Sequence, residues 1–195
     1  MPMNNHRPEA EFQAHIAAYL QREHGYTILE AEDITDKEYY FATPLLMAFI
    51  RATQADSLQK LEADYGTLET QHKIITALKK ALATKPLWLI MREGLTVGDY
   101  SFLLFYPKPR SSISVANQHW QQNRFSFKTE LVIQDTKRPD IVLFLNGLPI
   151  MVIELKNGRW CMNKVICNQC VTPFIYDVFS KKRLFFIKNH QPNES

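Results

Sequence analysis

Three ionisable side chains stand out by the company they keep: Asp140, Glu154 and Lys156. They flank Ile141 to Leu145 and Ile150 to Ile153, runs apolar on both faces, as in strands from the buried middle of a sheet. A charge in such a place is costly unless it is paired, binds a metal or reaches a cleft. Glu154 and Lys156 are two residues apart, so in a strand they share one face while Leu155 turns to the other. Two carboxylates beside a lysine make an oxygen-ligand site for Mg²⁺, with an ammonium next to the bound water. The plainer alternative is a strand-entry Asp140 after Pro139, with Glu154 and Lys156 as a rim ion pair.

The connection between the two strands sets a condition. A plain two-residue Asn146-Gly147 turn pairs Asp140 with Ile153 and sends Asp140 and Glu154 to opposite faces. A three-residue loop Leu145-Asn146-Gly147, with Gly147 left-handed, pairs Asp140 with Val152 and puts both carboxylates on one face. The spacing favours the second register, or a bulge with the same effect.

The elements that must position these residues read as a helical half followed by a sheet. Phe12, Ile16 and Leu20 recur every four residues behind Pro8, and Gly25 stops the pattern. Further helices are expected from Thr43-Pro44, over Ser57 to Tyr65, over Leu68 to Ala83 and over Ser114 to Gln122, with a strand at Tyr26 to Leu29. Strands are expected over Pro86 to Met91, Tyr100 to Tyr106, Phe125 to Ile133, Pro139 to Leu145 and Pro149 to Lys156, separated by glycine- and proline-bearing turns. The plan is α+β, a mixed β-sheet flanked by helices. We expect one domain over 1–195: a helical part over about 8–85, a sheet core over about 86–157 and a divergent tail over 158–195.

Composition narrows the field. The 195 residues, 46% hydrophobic and 22% charged, suit a globular core rather than a disordered chain. The apolar runs fall far short of the roughly 20 residues of a membrane span. No secretory signal is expected behind Met1, and the three cysteines, Cys161, Cys167 and Cys170, suit a reducing, cytoplasmic setting. The six glycines form no phosphate-binding loop, so no ATP site is expected. A net charge of +3 is compatible with nucleic acid without arguing for it.

The block from Arg138 to Asn157, with Pro139-Asp140, the Asn146-Gly147-Leu148-Pro149 hairpin and Glu154-Leu155-Lys156, resembles the nuclease core of type I restriction–modification R (restriction) subunits. The likeness extends more faintly through Asn123-Arg124-Phe125 and Phe102 to Tyr106 to the helix at Glu9 to His24. It implies a restriction-endonuclease-like (PD-(D/E)xK) core and an Mg²⁺-dependent type I site-specific deoxyribonuclease. Asp140 and Glu154 would hold the metal with the Leu155 carbonyl, and Lys156 would orient or help deprotonate the attacking water. Glu11 is a candidate further acid; Glu9 competes for that role, and a solvated helix-face glutamate is the alternative. The implied partners are DNA and the methylation and specificity subunits of a restriction complex, with no membrane. ATP belongs only to the family's longer subunits.

The tail departs from that family. After Asn157 a helix with Q-x-x-x-Y is the family pattern, a DNA-contacting element; here Gln169 is followed by Pro173 at the tyrosine position, and Tyr176 is seven residues on. Gln169 and the Lys181-Lys182-Arg183 run are the DNA-binding candidates, the run weighed against a solvated surface. Cys167-x-x-Cys170 with Cys161 and His190 is too sparse for a zinc site. The chain reads as an N-terminal piece or a truncated product. The competing function is an inactive remnant, at most a weak DNA- or partner-binding module.

Overall fold

The computed structural model describes residues 8–109, 115–133 and 137–155. In chain order these form α1 (Pro8–His24), β1 (Thr27–Ile28), α2 (Thr43–Thr53), α3 (Ala55–Tyr65), α4 (Thr67–Leu82), α5 (Leu87–Glu93), β2 (Leu95–Val97), β3 (Tyr100–Phe102), α6 (Val115–Gln121), β4 (Phe125–Thr129), β5 (Ile141–Leu145) and β6 (Leu148–Ile153). The fold is α+β. A four-stranded sheet in the order β1-β4-β5-β6 is mixed: β1 runs parallel to β4, and the other pairs are antiparallel. β2 and β3 form a separate hairpin.

The helices follow their apolar spacing. α2 carries Pro44 in its first turn and buries Leu46, Met47, Phe49 and Ile50; α4 buries Thr70, Ile74 and Leu78, one every four residues. Thr70 apart, these side chains join Val142, Phe144, Leu148 and Val152 of the sheet in one apolar core. Phe127 and Ile141, on the opposite face of their strands, are also fully buried. Among the described residues no helix is long and apolar enough to cross a membrane.

One expected strand is a helix. Pro86 to Met91 is the start of α5, which buries Leu87, Ile90 and Met91 on one side. Spacings of three and four are helical, but a short apolar run fits either structure until its neighbours are known. Pro86 is extended and stands just before the first turn. The expected strands at Tyr100 to Tyr106 and Phe125 to Ile133 are shorter, ending at Phe102 and Thr129.

The turn between β5 and β6 also corrects the expected register. Asn146 (φ 51°) and Gly147 (φ 80°) are both left-handed, which closes a two-residue turn rather than a three-residue loop. Leu145 therefore pairs with Leu148 and Phe144 with Pro149; the register then slips, so that Leu143 pairs with Met151, Val142 with Val152 and Ile141 with Ile153. Ile150 is the extra residue. Pro149 has no N–H to give the ladder, and the bulge falls beside it. Val152 thus faces Val142, not Asp140.

The turn is buried and tied down by amide side chains. Asn146 Oδ1 accepts the Arg124 N–H (2.8 Å), and Asn146 Nδ2 donates to the Leu104 carbonyl (2.9 Å) and to Asn123 Oδ1 (3.1 Å). Asn123 in turn clasps Tyr106, accepting its N–H (3.1 Å) and donating to its carbonyl (2.7 Å). Asn146→Ala strips three of these bonds from a fully buried position and places alanine at a left-handed backbone. The expected loss is about 3 kcal/mol, mostly from orphaned partners, read as a lower denaturant midpoint at unchanged slope.

Candidate functional site

Asp140 precedes β5 and Glu154 follows β6, so the register of the hairpin decides whether they meet. Carried one step beyond Ile141–Ile153, it sets Asp140 opposite Glu154. By strand alternation both then lie on the face of Val142 and Val152. The Asp140 carboxylate accepts the N–H of Leu155 through Oδ2, which fastens it to the Glu154-Leu155 segment. Asp140 and Glu154 are both half-buried. The bulge at Ile150 thus delivers the shared face that the sequence required.

Asp140 is held from two further directions. Its carbonyl accepts the Glu130 N–H (3.1 Å), just past the end of β4, and the side-chain amide of Gln13 in α1 (2.6 Å). The second bond brings α1 to the entry of β5. Glu11 lies about 200° around the helix from Gln13, whereas Glu9 is four residues away on the Gln13 stripe.

Lys128 in β4 was passed over in the sequence, where it reads as one more polar strand residue. Its Cα partner is Val142, so it stands on the same face as Asp140, one strand across and one row along. Its ammonium lies 3.3 Å from Glu30, just after β1. The signal was present in the alternation of Phe125-Ser126-Phe127-Lys128, which puts Ser126 and Lys128 on one face.

A cavity of about 420 Å³ lies farther along the same strands, lined by His24, Thr27, Asp33, Arg124 and Ser126 among others. The Ser126 hydroxyl is buried there without a hydrogen-bond partner. Neither Asp140 nor Glu154 lines it. Lys156, Gln169, Lys181, Lys182 and Arg183 lie outside the described residues, as do Cys161, Cys167, Cys170, Tyr176 and His190.

The two acids that the hairpin sets on one face offer hard oxygen donors, a chemistry that suits Mg²⁺ rather than a soft metal. Among the described residues no three His, Cys, Asp or Glu side chains form a metal-binding group. A cation here would therefore take a backbone or water oxygen beside the two acids. One Asp140 oxygen is committed to the Leu155 N–H.

Comparison with known proteins bears on most of the chain. The family described as "Type I restriction enzyme R protein N terminus" matches residues 7–169, from just before α1 to past the candidate site. A 44-residue stretch is 48% identical to the type I restriction enzyme HindI endonuclease subunit of Haemophilus influenzae. It covers 20% of this chain and 4% of that subunit, so the chain spans a small part of the curated relative it matches. No solved structure matches the chain. With a family match over most of its length, the chain belongs to the N-terminal family of type I restriction enzyme R proteins.

Proposed function

We propose that this chain carries the DNA-cleaving centre of a type I restriction enzyme R subunit, a PD-(D/E)xK nuclease core that hydrolyses phosphodiester bonds with Mg²⁺. The observation that carries the reading is the Asp140 carboxylate, fastened to Leu155 and set opposite Glu154 by the bulged hairpin. Two acidic residues set on one face at the end of an apolar hairpin repel across the strand pair. A divalent cation between them removes that cost.

Asp140, Glu154 and the Leu155 carbonyl would hold the ion. When bound, Mg²⁺ acidifies water and draws charge from the phosphate. Lys156, two residues beyond Glu154, would orient the attacking water, help draw off its proton and offset the charge that grows on the phosphate. The water oxygen forms a new bond to phosphorus as the bond to the leaving sugar oxygen breaks. A helical acid from α1, Glu9 or Glu11, would complete the acidic rim. Sequence recognition would come from specificity and methylation subunits, as the resemblance to the family implies.

The test is nicking of supercoiled plasmid in Mg²⁺ by the parent chain and by Lys156→Ala. Cleavage by the parent and its loss in the variant supports the reading; equal cleavage by both sinks the site. One sequence feature favours a second reading, a folded module that binds without cutting: Pro173 interrupts the Q-x-x-x-Y pattern after Gln169. That reading expects no nicking by the parent, with metal binding retained.

A further inference from the structure

The face that carries Asp140 and Glu154 also carries a cation whose position has no purpose in the core. Lys128 projects beside Val142, a fully buried residue, and only 18% of its side chain is exposed. The apolar stem of Lys128 is covered while its ammonium meets Glu30 in an exposed contact, which repays little of the cost of ordering the side chain. Glu30 is 72% exposed at the end of β1, and a pair with so solvated a partner is weak. The lysine is therefore held loosely, in a place where a neutral strand former would pack better.

The topology gives that place meaning. β4 lies between β1 and β5, so Lys128 has Glu30 on one side and the row of Asp140 and Glu154 on the other. Diagonal neighbours on one sheet face stand about 7–8 Å apart, a distance that a four-carbon lysine stem with a charged end can bridge. A phosphate seated at the two carboxylates, or one nucleotide along the strand from them, would attract the same ammonium. It would compete with one exposed carboxylate.

We propose that Lys128 is a phosphate-positioning residue for DNA, and that Glu30 is the anion it exchanges for the backbone. The inference rests on the reading of this face as a DNA-cleaving centre. It makes the two halves of one ion pair act in opposite directions. Removing Lys128 weakens DNA binding, whereas removing Glu30 frees the lysine and strengthens it. A merely structural pair would lower stability in both variants and leave DNA affinity alone.

The experiment is fluorescence anisotropy of a labelled 20-base-pair duplex with the full chain in Ca²⁺ in place of Mg²⁺, over a series of salt concentrations. Lys128→Ala is expected to weaken binding about fivefold and to flatten the salt dependence by about one unit of slope. Glu30→Gln should tighten binding about twofold to fivefold, the scale of a weak pair released. Lys128→Arg keeps the charge and should bind as the parent does, which separates the effect from any loss of fold. Changes of the same sign in Lys128→Ala and Glu30→Gln, no change in either, or no DNA binding by the parent overturn the proposal. Opposite signs together with undiminished cleavage by Asp140→Asn would leave Lys128 as a phosphate contact and remove the hydrolytic centre from its side.

Discussion

Asp140→Asn should cut DNA at least about a thousandfold more slowly than the parent while melting at nearly the same temperature. The asparagine side-chain oxygen can still accept the Leu155 N–H that Asp140 Oδ2 accepts, so the hairpin ends remain fastened. Only the negative charge is lost. Metal assistance contributes several kcal/mol to such a reaction, and each 1.36 kcal/mol is about tenfold in rate. Asp140→Ala lacks the acceptor as well and should lose about 1 kcal/mol of stability besides. The pair of variants separates chemistry from architecture: equal loss of cleavage, unequal loss of stability. Plasmid nicking and thermal melting read the two effects. Cleavage by Asp140→Asn within tenfold of the parent would mean that the charge is not used.

The second large effect concerns stability, and it falls on a residue with no chemistry. Gly147→Ala should lower the melting temperature by about 12 °C, for a loss near 4 kcal/mol. Gly147 is left-handed at φ 80°, where an L side chain is strained by about 1–2 kcal/mol. An added Cβ would also stand 2.3 Å from the Ala42 carbonyl oxygen and 3.1 Å from the Leu46 nitrogen. Both are backbone atoms at the start of α2, so neither can swing aside. The Gly147 carbonyl meanwhile accepts the Ala42 N–H at 2.9 Å, which docks the hairpin turn on the helix. A melting temperature within about 2 °C of the parent would show that the turn can withdraw from α2 without cost.

These two residues show how far the sequence could be read. The face shared by Asp140 and Glu154 was legible, because apolar strands leave few places for charge and a bulge was one of two ways to align them. The location of the bulge was not. It depends on Pro149 failing the ladder against Phe144, a pairing known only once the turn length is known. Asn146-Gly147 was legible as a turn, but its burial against α2 joins residues about a hundred positions apart in the chain. Periodicity carries no information about such a contact. Leu87 to Met91 went astray for a related reason: five apolar residues have too little length to show their period, and tertiary packing chose the helix. Lys128 was overlooked because its meaning comes from its neighbours across the sheet, Val142 and then Asp140, rather than from those along the chain. The family likeness only implied the roles of Asp140, Glu154 and Lys156, which spacing by itself left open between a metal site and a rim ion pair.

The central claim is that the bulged hairpin builds a divalent-cation site, and it is tested most directly by calorimetric titration of Mg²⁺ or Mn²⁺ into the parent chain and Asp140→Asn. The account predicts saturable binding of one ion in the parent and its disappearance in the folded variant. Absence of binding in the parent, or equal binding in both, would contradict it.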